Sequence, residues 1–193
     1  FSAAARYDYQ PFAIAVGYVK LKDIATSQAL GTYAVNSPIN SGYATARSAQ
    51  LFAAAARYTH QDLMVGVNYS NVQYTPGSAS LFTGEGVFNT YGVISTYRIT
   101  PAVTVGAGYS YTQASKANGI DDAARYHQIS LEQTYNLSTR TTIYALEAYQ
   151  HASGKTLVSA GTRTGITDAV AVVGDSQNTT PSSGPSQFVG MVG

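Results

Sequence analysis

AAARYDYQPFAIAVGY, residues 3–18, and AAARYTHQDLMVGVNY, residues 54–69, are near copies of one another set fifty-one positions apart. Each reads as two runs of alternating apolar residues joined by a short turn, Gln10-Pro11 in the first and His60-Gln61-Asp62 in the second. Alternation places successive side chains on opposite faces of a strand. A hairpin that recurs with a tyrosine near each end and little charge between fits a sheet whose apolar side meets hydrocarbon.

Composition supports that reading. Charged residues make up 11% of the 193, against roughly a quarter in ordinary soluble domains. Mean hydropathy is nevertheless only −0.07, and no run approaches the ~20 apolar residues of a membrane-spanning helix. Low charge without apolar blocks is what apolar residues at every second position produce. Sixteen tyrosines stand beside no tryptophan, and tyrosine favours strands and membrane interfaces. A net charge of +1 gives no basic surface for nucleic acid. The lack of cysteine excludes disulfides, thiol nucleophiles and thiolate metal sites.

Outward from the two repeats, the sequence predicts about nine strands with short and long connections in alternation. They are 2–9, 12–22, 48–59, 63–74, 87–98, 103–113, 123–135, 141–151 and 185–193, with the stretch 152–184 read as one long loop. Runs of eight to thirteen residues suit strands that cross an apolar band about 25 Å tall at a tilt of ~35–45°. Short turns belong to the periplasmic side of such barrels and long loops to the outside. The fold class expected is all-β, an antiparallel up-and-down transmembrane β-barrel. A soluble sandwich fits less well, because its wet face would carry Lys, Glu and Asp, whereas here the second face is small and sparsely charged.

Parity assigns the faces. Val103, Val105, Ala107, Tyr109 and Tyr111 oppose Thr104, Gly106, Gly108, Ser110 and Thr112, apolar outward and small or polar inward. The same count places Tyr7, Tyr58, Tyr97 and Tyr135 outward near the short turns, as a lower aromatic girdle. Tyr18, Tyr69 and Tyr109 form an upper one. His127 and Gln133 fall on the outward side as well. Arg6, Asp8, Arg57, Arg98, Glu132 and Glu147 are assigned to the lumen, with the three arginines at one level of the wall. Lys20, Lys22, Asp23, Lys116, Asp121, Asp122, Lys155 and Asp175 belong to strand tops or external loops, where they solvate the mouth or meet lipopolysaccharide phosphates.

An enzymatic reading needs a nucleophile, a base and an orienting group within reach. Of the three histidines, only His151 is read beside an acid and a hydroxyl, Glu147 and Ser153, and no GxSxG or HExxH motif is present. No catalytic residue, metal ligand or cofactor is assigned. The long loops leave a surface-interaction barrel, an adhesin or secretion channel, as the alternative.

The hairpin AAARYDYQPFAIAVGYVKLKD, the stretch RYHQISLEQTYNLSTRTTIYALEAYQHASG and the closing QFVGMVG resemble the general trimeric porins of Gram-negative bacterial outer membranes, most closely the beta-proteobacterial type. The resemblance implies a sixteen-stranded closed barrel in the cell outer membrane. It further implies a homotrimer, passage of ions and small hydrophilic solutes, and contact with outer-membrane lipid and lipopolysaccharide. Nine strands are about half of such a barrel, so residues 1–193 are expected to be the C-terminal part of a single porin domain. Its inward-folded constriction loop would lie upstream.

Overall fold

The computed structural model describes residues 1–22, 37–174 and 180–193. Its strands are β1 (Ser2–Tyr9), β2 (Phe12–Lys22), β3 (Ser48–His60), β4 (Leu63–Thr75), β5 (Gly86–Arg98), β6 (Val103–Ala114), β7 (Arg125–Ser138), β8 (Thr141–Ser153), β9 (Lys155–Ala160), β10 (Arg163–Asp168) and β11 (Ser186–Val192). β1 to β8 and then β11 form one antiparallel nine-stranded sheet, each strand beside its predecessor. The expected strand set is therefore present, with β1 and β2 at the expected bounds and the others moved by at most three residues.

The pairing is staggered. One row of mutually facing residues crosses the whole sheet: Tyr7, Ile14, Ala56, Val67, Val93, Tyr109, Ile129, Tyr149 and Phe188. Past that row the strands running toward the short turns continue to Tyr9 in β1, His60 in β3, Arg98 in β5 and Ser138 in β7. The drift is about one residue per strand. At ~3.3 Å per residue and ~4.8 Å between strands this is a tilt of roughly 35°, within the inclination a sheet needs to close into a barrel.

Three local features depart from the sequence reading. The β3–β4 hairpin is tighter than expected, because His60 pairs with Leu63 and only Gln61 and Asp62 turn, Gln61 at φ 52°. β7 runs on through Asn136 to Ser138 with a shift of register before Thr141, a bulge that inserts one extra residue. The expected loop 152–184 contains the β9–β10 hairpin, turned at Gly161 with φ 71°.

The external connections pack against one face of the sheet. Tyr43, in a 3-10 turn at Ser41–Tyr43, stacks on Tyr74 of β4 with ring centroids 5.2 Å apart. It also meets Phe82 and Phe88 edge-on at 5.0 and 5.8 Å. Burial pushes the Tyr43 phenol above the ordinary tyrosine range. The cluster gathers Ala46, Ala49, Ile120, Ala123 and Leu157, and Gly86 of β5 leaves the room that the Tyr43 ring occupies. The β9–β10 hairpin is tied in by Thr156 Oγ1 donating to the Ile39 carbonyl at 3.0 Å and Thr164 Oγ1 to that of Leu81 at 3.0 Å.

Candidate functional site

The site is the wall itself, and its two faces follow from the register. The row through Tyr7 and Phe188 is apolar apart from tyrosine hydroxyls, and every residue in it is exposed. One residue along each strand, the row reads Arg6, Ala15, Ala55, Asn68, Gly92, Ser110, Gln128, Gln150 and Gln187. This second row is small and polar from edge to edge. The loop core packs on its side, against inward residues Ala49, Tyr74, Phe88 and Tyr126. That makes it the interior.

The outward tyrosines follow the stagger. Tyr7, Tyr58 and Tyr97, on β1, β3 and β5, each step two residues further along their strand relative to the Tyr7–Phe188 row, and Tyr135 on β7 continues the series. The step matches the tilt, so the four lie at a common height above the short turns. Tyr18, Tyr69 and Tyr109 climb in the same steps on β2, β4 and β6. Their hydroxyls meet polar side chains beside them: Tyr18 donates to Gln50 Oε1 at 3.0 Å, Tyr69 to Asn89 Oδ1 at 2.8 Å, and Tyr109 lies 2.8 Å from His127 Nδ1. Rings in an apolar band with hydroxyls at its polar edge are how interfacial tyrosines sit. Lys20 and Lys22 stand on the same outward face beyond Tyr18, facing Gln50 and Ser48.

Five of the six proposed lumen residues are on the inner face. Arg6 and Asp8 form a two-point ion pair, Nε to Oδ2 at 2.6 Å and an Nη to Oδ1 at 2.8 Å. Arg57 lies in the row of Asp8 and Ala13 and makes no ion pair among the described residues. Glu132 faces Gly106 and Leu146. Arg98 is also inward, but it is the last residue of β5 and lies 3.6 Å from Asp62 in the neighbouring turn. Arg6 and Arg57 therefore share a level, and Arg98 sits at the rim below them rather than in the same ring.

Glu147 is the correction. It faces Leu131, in the outward row Tyr9, Phe12, Tyr58, Val65, Ser95, Ala107, Leu131, Glu147 and Gly190. The bulge at the end of β7 shifts β8 by one residue, and a one-residue shift exchanges the two faces of a strand. His151 turns outward with it, opposite His127, and its Nδ1 lies 3.0 Å from Ser186 Oγ. On the outer wall Glu147 accepts a hydrogen bond from Gln133 Nε2 at 3.2 Å. Polar groups in a lipid-facing wall are costly, so replacing both by leucine should stabilise the inserted barrel by about 1 kcal/mol. A denaturant titration in lipid vesicles checks this; destabilisation would mean that the pair contacts protein there.

At the mouth, Lys155 pairs with Asp168 at 3.0 Å and Asp122 with Arg125 at 2.9 Å. Asp23 and Asp175 lie outside the described residues. The sequence reading missed that the last loop enters the lumen. The backbone N–H groups of Val172 and Val173 donate to the inward amide oxygens of Gln150 and Gln187, each at 2.7 Å. The signal was available in the inward glutamines, which supply buried acceptors that something has to satisfy.

Residues 1–155 match the sequence profile of the family described as Gram-negative porin. The chain belongs to that family. Two solved structures share its fold, both of OmpT from Vibrio cholerae. The in-vitro folded form, described as an outer membrane protein, is 17% identical with a TM-score of 0.60, over 98% of this chain and 52% of that one. The outer-membrane-expressed form is 16% identical with a TM-score of 0.55, over 99% and 55% respectively. This porin chain thus spans about half the length of the solved structures it matches. No curated protein sequence matches it. Family and fold place the porin in the outer membrane of a Gram-negative cell, crossing with strands.

Proposed function

We propose that the chain forms one side of a water-filled channel through which ions and small hydrophilic solutes diffuse passively. The observation that carries this reading is the contrast between adjacent rows. Val67, Val93 and Ile129 face outward, while Asn68, Gly92 and Gln128 on the same strands face inward. Hydrocarbon demands the first set, and water tolerates the second. No bond is made or broken in this function, and no cofactor is called for.

In this reading the nine strands are the C-terminal part of a longer barrel. Among the described residues, β1 and β11 have a strand on one side only, and each unpaired backbone group left in lipid costs several kcal/mol. Further strands of the same polypeptide would join the two edges. The homotrimer that the family resemblance implies is part of the proposal, as is contact of Lys20 and Lys22 with lipopolysaccharide phosphates.

Rings of charge set ion preference in channels, and Arg57 is an inward cation with no ion pair among the described residues. Arg57→Glu should move the reversal potential in a potassium chloride gradient toward cation selectivity. An unchanged potential removes Arg57 from the conducting path. The wider proposal is tested by conductance of the purified protein in planar bilayers, where a stepwise ohmic current is expected and a bilayer that stays closed would refute it. The surface-interaction alternative draws on the loop core at the mouth, and it would gain from that closed result.

A further inference from the structure

The inner wall is not uniformly polar. Arg57, Gly66 and Ile94 occupy one row on β3, β4 and β5, and Met64 lies one inward position below Gly66. Gly66 has no side chain, so Ile94 leans across it: a Cβ there would come within 3.1 Å of Ile94 Cγ2 and 3.9 Å of Met64 Sδ. The result is an open hollow of about 320 Å³, with Ala13, Ala15, Ala55 and Gly66 as its floor and Asn68 beside them. Met64 and Ile94 form its apolar side, and Arg6 and Arg57 its charged side. Ile94 is 46% exposed although it points into the lumen. Beyond it the apolar surface continues through Leu146, Val189 and Met191.

A lumen that only passed water and ions would gain nothing from that strip. We propose that the hollow is a binding subsite for small monocarboxylates that carry a compact apolar body, such as aromatic carboxylates. The Arg6 guanidinium is engaged by Asp8 through two contacts, which leaves Arg57 as the cation available to a carboxylate. A guanidinium fork matches a carboxylate in geometry and charge. Ile94 stands two strands away, about 10 Å between backbones, so a six-membered ring whose carboxylate reaches Arg57 lies over Gly66 against Met64 and Ile94. Glu132, four strands from Arg57, is too distant to repel that anion or to hold a second charge of the same solute. The inference rests on the channel reading and names a solute class for it.

The test is inhibition of chloride current through the purified porin in planar bilayers by sodium benzoate or sodium acetate at neutral pH. Benzoate should halve the current at a concentration about tenfold lower than acetate, the difference being the apolar contact. Arg57→Gln should weaken both anions. Ile94→Ser should abolish the difference between them, and Ile94→Val should retain it, which separates a lost contact from a damaged barrel. Equal inhibition by the two anions in the unmodified protein, or an Ile94→Ser variant that still distinguishes them, would overturn the subsite and leave the channel standing. Absence of any chloride current would overturn the channel, and the subsite with it.

Discussion

Val93→Arg should lower the unfolding free energy of the membrane-inserted barrel by about 2–4 kcal/mol, the cost of an arginine near the middle of a lipid-facing wall. Val93 lies in the outward row between Val67 and Tyr109 and is exposed, so the new charge would have hydrocarbon around it. Ser110→Arg is the matched control. Ser110 lies opposite Gly92 on the inward face, where a guanidinium stays hydrated, and its effect should stay below about 1 kcal/mol. The pair is read by chemical denaturation of the protein refolded into phospholipid vesicles. Equal costs at the two positions would mean that the faces have been assigned wrongly.

The second large effect concerns the mouth. Tyr43 is 2% exposed and touches three other rings, so Tyr43→Ala should cost the loop assembly about 3–5 kcal/mol, the range for deleting a buried aromatic side chain. Loops form their own cooperative unit on a rigid scaffold, so the loss should be local. Limited proteolysis should cut within residues 39–46 and 154–168 of the variant while the strands resist. Channel conductance should rise, because the released side chains block less of the entrance. If the variant instead fails to insert, Tyr43 is part of the barrel's folding core.

Strands were legible wherever one face had a single chemical character. In β6, Val103 to Tyr111 alternate with Thr104 to Thr112 without an exception, and both edges and faces could be read directly. β8 was ambiguous, because Tyr144 and Leu146 on one face balance Ile143 and Tyr149 on the other. Its orientation was decided by a bulge at the end of β7, and an inserted residue in a run such as Asn136-Leu137-Ser138 leaves no mark in composition. That hid the outward direction of Glu147. The β9–β10 hairpin was missed because it lies in a Gly/Ser/Thr-rich stretch with weak alternation, and its place is set by docking on residues 39–43 and 81, more than seventy positions earlier in sequence. The Arg57–Ile94 hollow was invisible for a related reason. It depends on Gly66 standing between two strands that only pairing brings into register.

The chain contains no cysteine, so its two faces can be mapped by introduced thiols. Single cysteines placed in turn from Val103 to Thr112 of β6, in the protein inserted in outer membranes, would be exposed to a charged, membrane-impermeant thiol reagent. Labelling is expected at Thr104, Gly106, Gly108, Ser110 and Thr112, which face water in the lumen, and protection at Val105, Ala107 and Tyr109, which face lipid. Uniform protection, uniform labelling or the opposite alternation would contradict a water-filled lumen lined by this face.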